Sequence, residues 1–149
     1  MKTRNFSVAD LSPHNQALVR KQLGALVPPA PTEEAPQKYR NASVVVDGYR
    51  FPSQREALRY LALKDAQNRG EISDLKIQPA WRIEHNGVLI CDYVADFSYN
   101  RKERGYGPRE HVLVFVVEDV KSTFTKTKDY RIKKKLLLAF YRIEVQEIA

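Results

Sequence analysis

A chain of 149 residues with 43% hydrophobic positions suits one compact domain with a core of its own. Lys and Arg number 25 against 18 Asp and Glu, a net charge of +7 with a pI near 9.5, which favours a polyanionic partner. The lone Cys91 excludes an intramolecular disulfide framework, and one cysteine with three histidines argues against a Cys/His zinc cluster. The N-terminus, MKTRNFSVADLSPHN, has no apolar targeting core, and the longest strongly apolar run, Val112 to Val117, is too short to span a bilayer. A reducing, cytoplasmic setting is expected.

In chain order, Ser12-Pro13-His14 opens a helix that runs towards Leu26: Ser12 caps it, Pro13 suits its first turn, and Leu18, Leu23 and Leu26 give a partial apolar stripe. The stretch PPAPTEEAPQ, Pro28 to Gln37, cannot hold a helix or a central strand and reads as a semi-extended linker. Residues 1–37 are therefore expected to form an appendage and residues 38–149 the globular domain. Val44-Val45-Val46 and Tyr49-Arg50-Phe51 flank Asp47-Gly48, the signal of a two-residue primed hairpin turn. Ser53 precedes Glu56 by three positions, a capping box for a helix that ends at Asn68 to Gly70.

Three strands are expected next, Lys76 to Glu84, Val88 to Tyr99 and His111 to Lys121, the first pair turned by Asn86-Gly87 and the second joined by the loop Asn100 to Glu110. The run VLVFVV is apolar on both faces, the pattern of a central, fully covered strand. Tyr130 to Tyr141 reads as a basic helix packed through Leu136, Leu137 and Phe140, and Ile143, Val145 and Ile148 alternate as a last strand. The core order is αβββαβ, an α/β fold.

The chemistry gathers at the end of the apolar strand. Side chains two apart on a strand share a face about 6.6 Å apart, which puts the Asp119 carboxylate beside the Lys121 ammonium. Asp119 is either paired with Lys121 where the strand reaches solvent, or held by a divalent cation while the lysine faces a substrate. Asp96 favours the second, because Tyr93-Val94-Ala95-Asp96-Phe97 is another apolar strand broken by one acid, and antiparallel pairing brings the two acids to one site. Two carboxylates a few ångströms apart repel unless a cation lies between them, and hard oxygen ligands suit Mg²⁺. Such a metal polarises a phosphate and lowers the pKa of a bound water, with Lys121 orienting that water or stabilising developing charge.

Asp96 followed by Asp119-Val120-Lys121, with a helical glutamate upstream, resembles the PD-(D/E)XK nuclease signature on an αβββαβ core. A closer resemblance is to a phage-associated family of unknown function, carried by Asp47-Gly48 with Phe51-x-Ser53-x-x-Glu56-Ala57, then Ile72-Ser73-Asp74-Leu75 with Gln78-Pro79, then Tyr93-x-Ala95-Asp96-Phe97 and Val117-Glu118-Asp119-Val120-Lys121, over roughly residues 38–148. The resemblance implies a restriction-endonuclease-like fold with a mixed central sheet. It implies Asp96 and Asp119 as metal ligands, Lys121 as catalytic lysine and Glu56 as the helical acid completing the metal site, with Mg²⁺ as cofactor and Mn²⁺ as a substitute. Glu56 has a competing role as the cap partner of Ser53. Gln78, on the strand facing the site, is a candidate for touching phosphate or water, and Glu118 points to the opposite face. Compact members of the superfamily separate the two acids by less than the 23 positions found here.

The long intervening loop carries Arg101, Lys102, Arg104 and Arg109, candidates for contacting a DNA backbone. From Lys121 to Arg142 there are eight basic residues (Lys121, Lys126, Lys128, Arg131, Lys133, Lys134, Lys135 and Arg142) and one acid, Asp129. Phosphate contacts from that stretch give affinity without sequence selection; Tyr130 is a further candidate for phosphate contact. The expected function is a Mg²⁺-dependent DNA endonuclease. Similarity to phage and archaeal Holliday junction resolvases favours branched DNA over plain duplex, and a homodimer, since two strands must be cut. The rival readings are a sequence-preferring nicking or restriction-like nuclease and a catalytically silent DNA-binding recombination accessory protein.

Overall fold

A computed structural model of the chain describes residues 8–23, 43–107, 110–121 and 127–148. The expected proline-rich linker, the first helix beyond Leu23, Arg109 and Lys126 lie outside these residues. The chain divides into two compact units, one within residues 6–65 and one within residues 66–149.

In the first unit, a 3₁₀ turn (Val8–Asp10) leads into α1 (Pro13–Leu18) and a π-helical turn (Val19–Leu23). Ser12 caps α1, its side chain accepting the Asn15 N–H at 3.4 Å, with Pro13 where no backbone donor is needed. Val44–Val46 (β1) and Tyr49–Phe51 (β2) form the expected hairpin. Asp47 (φ 52°) and Gly48 (φ 82°) both take the left-handed conformation of a type I′ turn. Helix α2 (Gln54–Asn68) starts at the expected box: the Glu56 N–H donates to Ser53 Oγ, and that hydroxyl donates to Glu56 Oε1 at 2.9 Å. Residues 8–23, expected within an appendage, are tied into this unit. The N–H and hydroxyl of Ser12 and the Asn15 amide all donate to the Asp65 carboxylate at 2.7–2.9 Å, with Asn15 and Asp65 both buried.

The second unit holds a four-stranded mixed sheet in the order β3-β6-β7-β8 and a separate two-stranded ribbon, β4-β5. Its strands are β3 (Ile72–Ile77), β4 (Ala80–His85), β5 (Val88–Val94), β6 (Phe97–Arg104), β7 (His111–Val120) and β8 (Val145–Ile148). β6 lies antiparallel to β3 and β7; β8 runs parallel to β7 after the crossover through α3 (Lys128–Tyr141). The α/β class with a mixed sheet is as expected.

Two expected strands are each cut in two. Gln78 adopts φ 50° ahead of Pro79, ending β3, and the neighbouring chain breaks at Ala95-Asp96. The breaks are hydrogen-bonded together, Gln78 N–H to Asp96 O and Ala95 N–H to Pro79 O, so both strands bend at one place. β6 also runs on to Arg104, through half of the expected loop, because Arg101 to Arg104 pair with Val114 to His111.

The core joins Ile83, Tyr93, Ala95, Val117, Leu137 and Val145, uniting β4, β5, β7, α3 and β8. Thr127 caps α3 and Arg142 (φ 58°) ends it in a left-handed turn. Leu137 is fully buried, whereas Phe140 is exposed and meets His85 edge-on. The VLVFVV run is likewise only half covered. β8 flanks β7 from Val117 to Val120, and Val112, Leu113 and Phe115 are each more than half exposed. Among the described residues no helix is long and apolar enough to cross a membrane.

Candidate active site

The site forms where the bend at Asp96 meets the end of β7. The Phe97–Glu118 pair is the last β6–β7 rung, and one step further brings Asp96 across from Asp119. The Asp96 N–H donates to both Glu118 O at 3.1 Å and Asp119 Oδ1 at 3.0 Å. In return Asp96 Oδ2 accepts the Val120 N–H at 2.7 Å. Each acid is thus fixed by the other's strand. Lys121, anchored by its N–H to Ile148 O, places Nζ 3.8 Å from Asp96 Oδ2. The lysine therefore pairs with Asp96, not with Asp119.

Burial separates the two acids. Asp119 is 1% exposed, while the Asp96 side chain is 18% and that of Lys121 25% exposed. A buried carboxylate needs donors, and Asp119 Oδ2 accepts the hydroxyl of Tyr93. Burial first, and then Asp119 itself, push the Tyr93 phenol far above its ordinary range. Tyr130 is raised as well, by burial and then by the charges of Asp119 and Glu147. The Tyr130 hydroxyl donates to Glu147 Oε1 at 3.2 Å, and Lys134 donates to the same oxygen at 2.9 Å. The Lys121 ammonium sits 5.7 Å from the centre of the Tyr130 ring, within cation–π range.

Two aspartates offer hard oxygen donors of the kind Mg²⁺ takes when it keeps most of its waters and draws other ligands from phosphate. With Lys121 the trio carries a net charge of −1, so the donor chemistry fits a divalent cation. Asp96 is the reachable ligand; Asp119 has a protein donor on each oxygen. Among the described residues no three His, Cys, Asp or Glu side chains gather as a metal-binding group.

A family model described as a protein of unknown function, DUF1064, matches residues 36–148. The chain belongs to this family. Neither a curated protein nor a solved structure matches it. The DUF1064 span contains Glu56, Asp96, Asp119, Lys121 and the tyrosines around them, while α1 lies ahead of it.

Other candidate residues of this DUF1064 chain fall in varied places. Glu56 belongs to the first unit, where it caps α2 with Ser53. Gln78 contributes its N–H to the Asp96 carbonyl from an exposed position. Arg101, Lys102 and Arg104 stand on β6, with Arg101 paired to Glu103. Lys128, Arg131 and Lys135 are exposed on α3, whereas Lys133 donates to Asp92 O and Lys134 to Glu147. Glu118, assigned to the opposite face, is as buried as Asp119 and accepts a different hydroxyl, that of Tyr99, at 2.5 Å.

Sequence reasoning missed Tyr93 and Glu147. A tyrosine in an apolar run reads as core, and Tyr93 is core; only tertiary packing reveals what its hydroxyl holds. A signal for Glu147 lies in the strand pattern, since the parallel β7–β8 register sets it beside Asp119, so an acid on the final strand falls next to the site.

Proposed function

We propose that this protein is a divalent-metal-dependent DNA endonuclease with Asp96, Asp119 and Lys121 at its active centre. The observation that carries the reading is the convergence of the two aspartates from adjacent strands, locked by reciprocal backbone hydrogen bonds, with the Lys121 ammonium 3.8 Å from Asp96.

Mg²⁺ or Mn²⁺, held by Asp96 and Asp119, would supply Lewis acidity towards a phosphodiester and a bound water of lowered pKa. The chain's own residues do the rest. Asp96 presents a partly exposed carboxylate at the mouth of the site. Lys121 offers its ammonium to the negative charge that grows on the phosphoryl oxygens as water adds to phosphorus and the ester oxygen leaves. Exposed Lys128, Arg131 and Lys135 on α3, with Lys102 and Arg104 on β6, give phosphate contacts that set affinity and salt dependence without reading sequence.

The resemblance to PD-(D/E)XK nucleases and Holliday junction resolvases supports a branched-DNA substrate, a homodimer that cuts two strands, and action within the cytoplasm of a phage-bearing host. Fold alone does not fix any of these. A second reading, a catalytically silent DNA-binding module, is favoured by one observation: both oxygens of Asp119 are satisfied within the protein and the side chain is buried. Incubating labelled four-way junction, flap, nicked and linear duplex DNA with the protein and Mg²⁺ separates the readings. Cutting that needs metal supports the nuclease, and selective cutting of the junction supports the resolvase class. Tight binding with no cutting under Mg²⁺ or Mn²⁺ supports the silent module.

A further inference from the structure

We infer that Tyr93 and Tyr130 are positioning residues of this site, Tyr93 fixing the Asp119 carboxylate through its hydroxyl and Tyr130 seating the Lys121 ammonium on its ring. The inference rests on the nuclease reading and adds two residues to it.

Burying Asp119 is costly. A carboxylate that is 1% exposed cannot draw its donors from bulk water. It has the Asp96 N–H on one oxygen and the Tyr93 hydroxyl on the other. The N–H is part of the backbone and fixes only Oδ1, so the plane of the carboxylate is decided by the phenol on Oδ2. Tyr93 itself is 2% exposed, wedged in the core with Ile83, Ala95, Val117, Leu137 and Val145 and tilted against the Trp81 ring. Its hydroxyl is therefore aimed by close packing, and it aims Asp119 in turn. Packing alone would be served as well by phenylalanine.

Tyr130 does a different task from the first turn of α3. Lys121 has four side-chain carbons' worth of freedom, and its ion pair with Asp96, at 3.8 Å, is a loose one. The Tyr130 ring, 5.7 Å below Nζ, supplies the second restraint. The ring is itself pinned: its hydroxyl donates to Glu147, and Lys134 braces Glu147 from the next turn of the helix. A solvated helix residue needs none of this. Asp119 and Glu147 are register partners on β7 and β8, so the same sheet carries the acid and the group that pins the ring.

Three variants test the inference: Tyr93→Phe, which keeps the packed ring and deletes the hydroxyl, and Tyr130→Phe beside Tyr130→Leu, which keep and delete the ring. Two quantities are read for each, Mn²⁺ affinity by calorimetry in the absence of DNA, and kcat and KM for cleavage. Removing a group that orients a metal ligand typically costs 10–100-fold in affinity or activity, so Tyr93→Phe is expected to weaken Mn²⁺ binding and lower kcat by at least about tenfold, with KM for DNA unchanged. Tyr130→Leu is expected to lower kcat about fivefold or more, as loss of a cation–π seat implies, with Tyr130→Phe recovering most of that loss and Mn²⁺ affinity held in both. Wild-type Mn²⁺ affinity and kcat in Tyr93→Phe, or equal kcat in Tyr130→Phe and Tyr130→Leu, overturn the inference while leaving the nuclease reading in place. A wild-type protein that neither binds Mn²⁺ nor cuts DNA overturns the nuclease reading itself.

Discussion

Replacing Asp119 with asparagine separates what the carboxylate does for folding from what it does for metal. The change is isosteric, and asparagine can keep both contacts: its carbonyl accepts the Asp96 N–H, and its amide donates to a Tyr93 hydroxyl that has turned round. What is lost is the charge on two hydrogen bonds. Bonds to charged groups contribute about 1.5–3 kcal/mol and neutral ones about 0.5–1.5, so the loss is at most about 2–3 kcal/mol, partly offset because a buried charge no longer has to be desolvated. Urea unfolding without metal should therefore show Asp119→Asn within about 2 kcal/mol of wild type. With Mn²⁺ at 100 times its dissociation constant, wild type should gain about 2.7 kcal/mol by mass action. The variant should gain almost nothing. An equal gain in both would refute Asp119 as a metal ligand, and a variant that fails to fold would show that its carboxylate is chiefly a structural acceptor.

Further expectations concern charge and burial elsewhere. Lys64, donating to Asp47 in the β1–β2 turn, holds the Asp47 carboxyl below its ordinary value of 3.8. A depressed folded value means that the pair's stabilisation is present above pH 3.8 and disappears as pH falls through the lower folded value. Asp47→Asn, which keeps a residue suited to the left-handed turn, should cost about 0.5 kcal/mol near pH 7, as befits a half-exposed pair, and match wild type in acid; a pH-independent gap would contradict this. Asp65→Ala removes the acceptor of three hydrogen bonds from Ser12 and Asn15 and should lower stability in urea by about 2–4 kcal/mol. A loss below about 1 kcal/mol would mean that α1 is not integral to its unit. Arg131→Ala should weaken DNA binding equally across sequences and flatten the slope of log K against log salt by about 0.9, which a filter-binding series in rising NaCl would measure.

Local chemistry made much of this molecule legible. The Asp47-Gly48 turn, the Ser53 cap and the helix before the last strand follow from short-range rules that tertiary context had no reason to override. The strand breaks do not. Nothing in Gln78 announces a positive φ, and the Asp96 bend depends on a partner kink at Pro79 rather than on its own neighbours. The apolar β7 run misled because apolar pattern reports what a strand can bury, whereas what it does bury depends on β8, which is only four residues long. At the site, Asp96, Asp119 and Lys121 stood out because ionisable groups in apolar strands demand a reason. Their pairing did not: spacing along β7 suggested Lys121 beside Asp119, while the bend at Asp96 carries that acid within reach of the lysine. Tyr93 and Glu147 were hidden for the opposite reason, each being ordinary for its strand and exceptional only in what lies across from it.

The central claim stands on Lys121. Wild type and Lys121→Ala should be compared on labelled four-way junction DNA with Mg²⁺, reading binding by mobility shift and cleavage on a denaturing gel. Both proteins should bind the junction with affinities within a few-fold, and only wild type should cut it. Equal cutting by Lys121→Ala, or no cutting by wild type under any divalent metal, would contradict it.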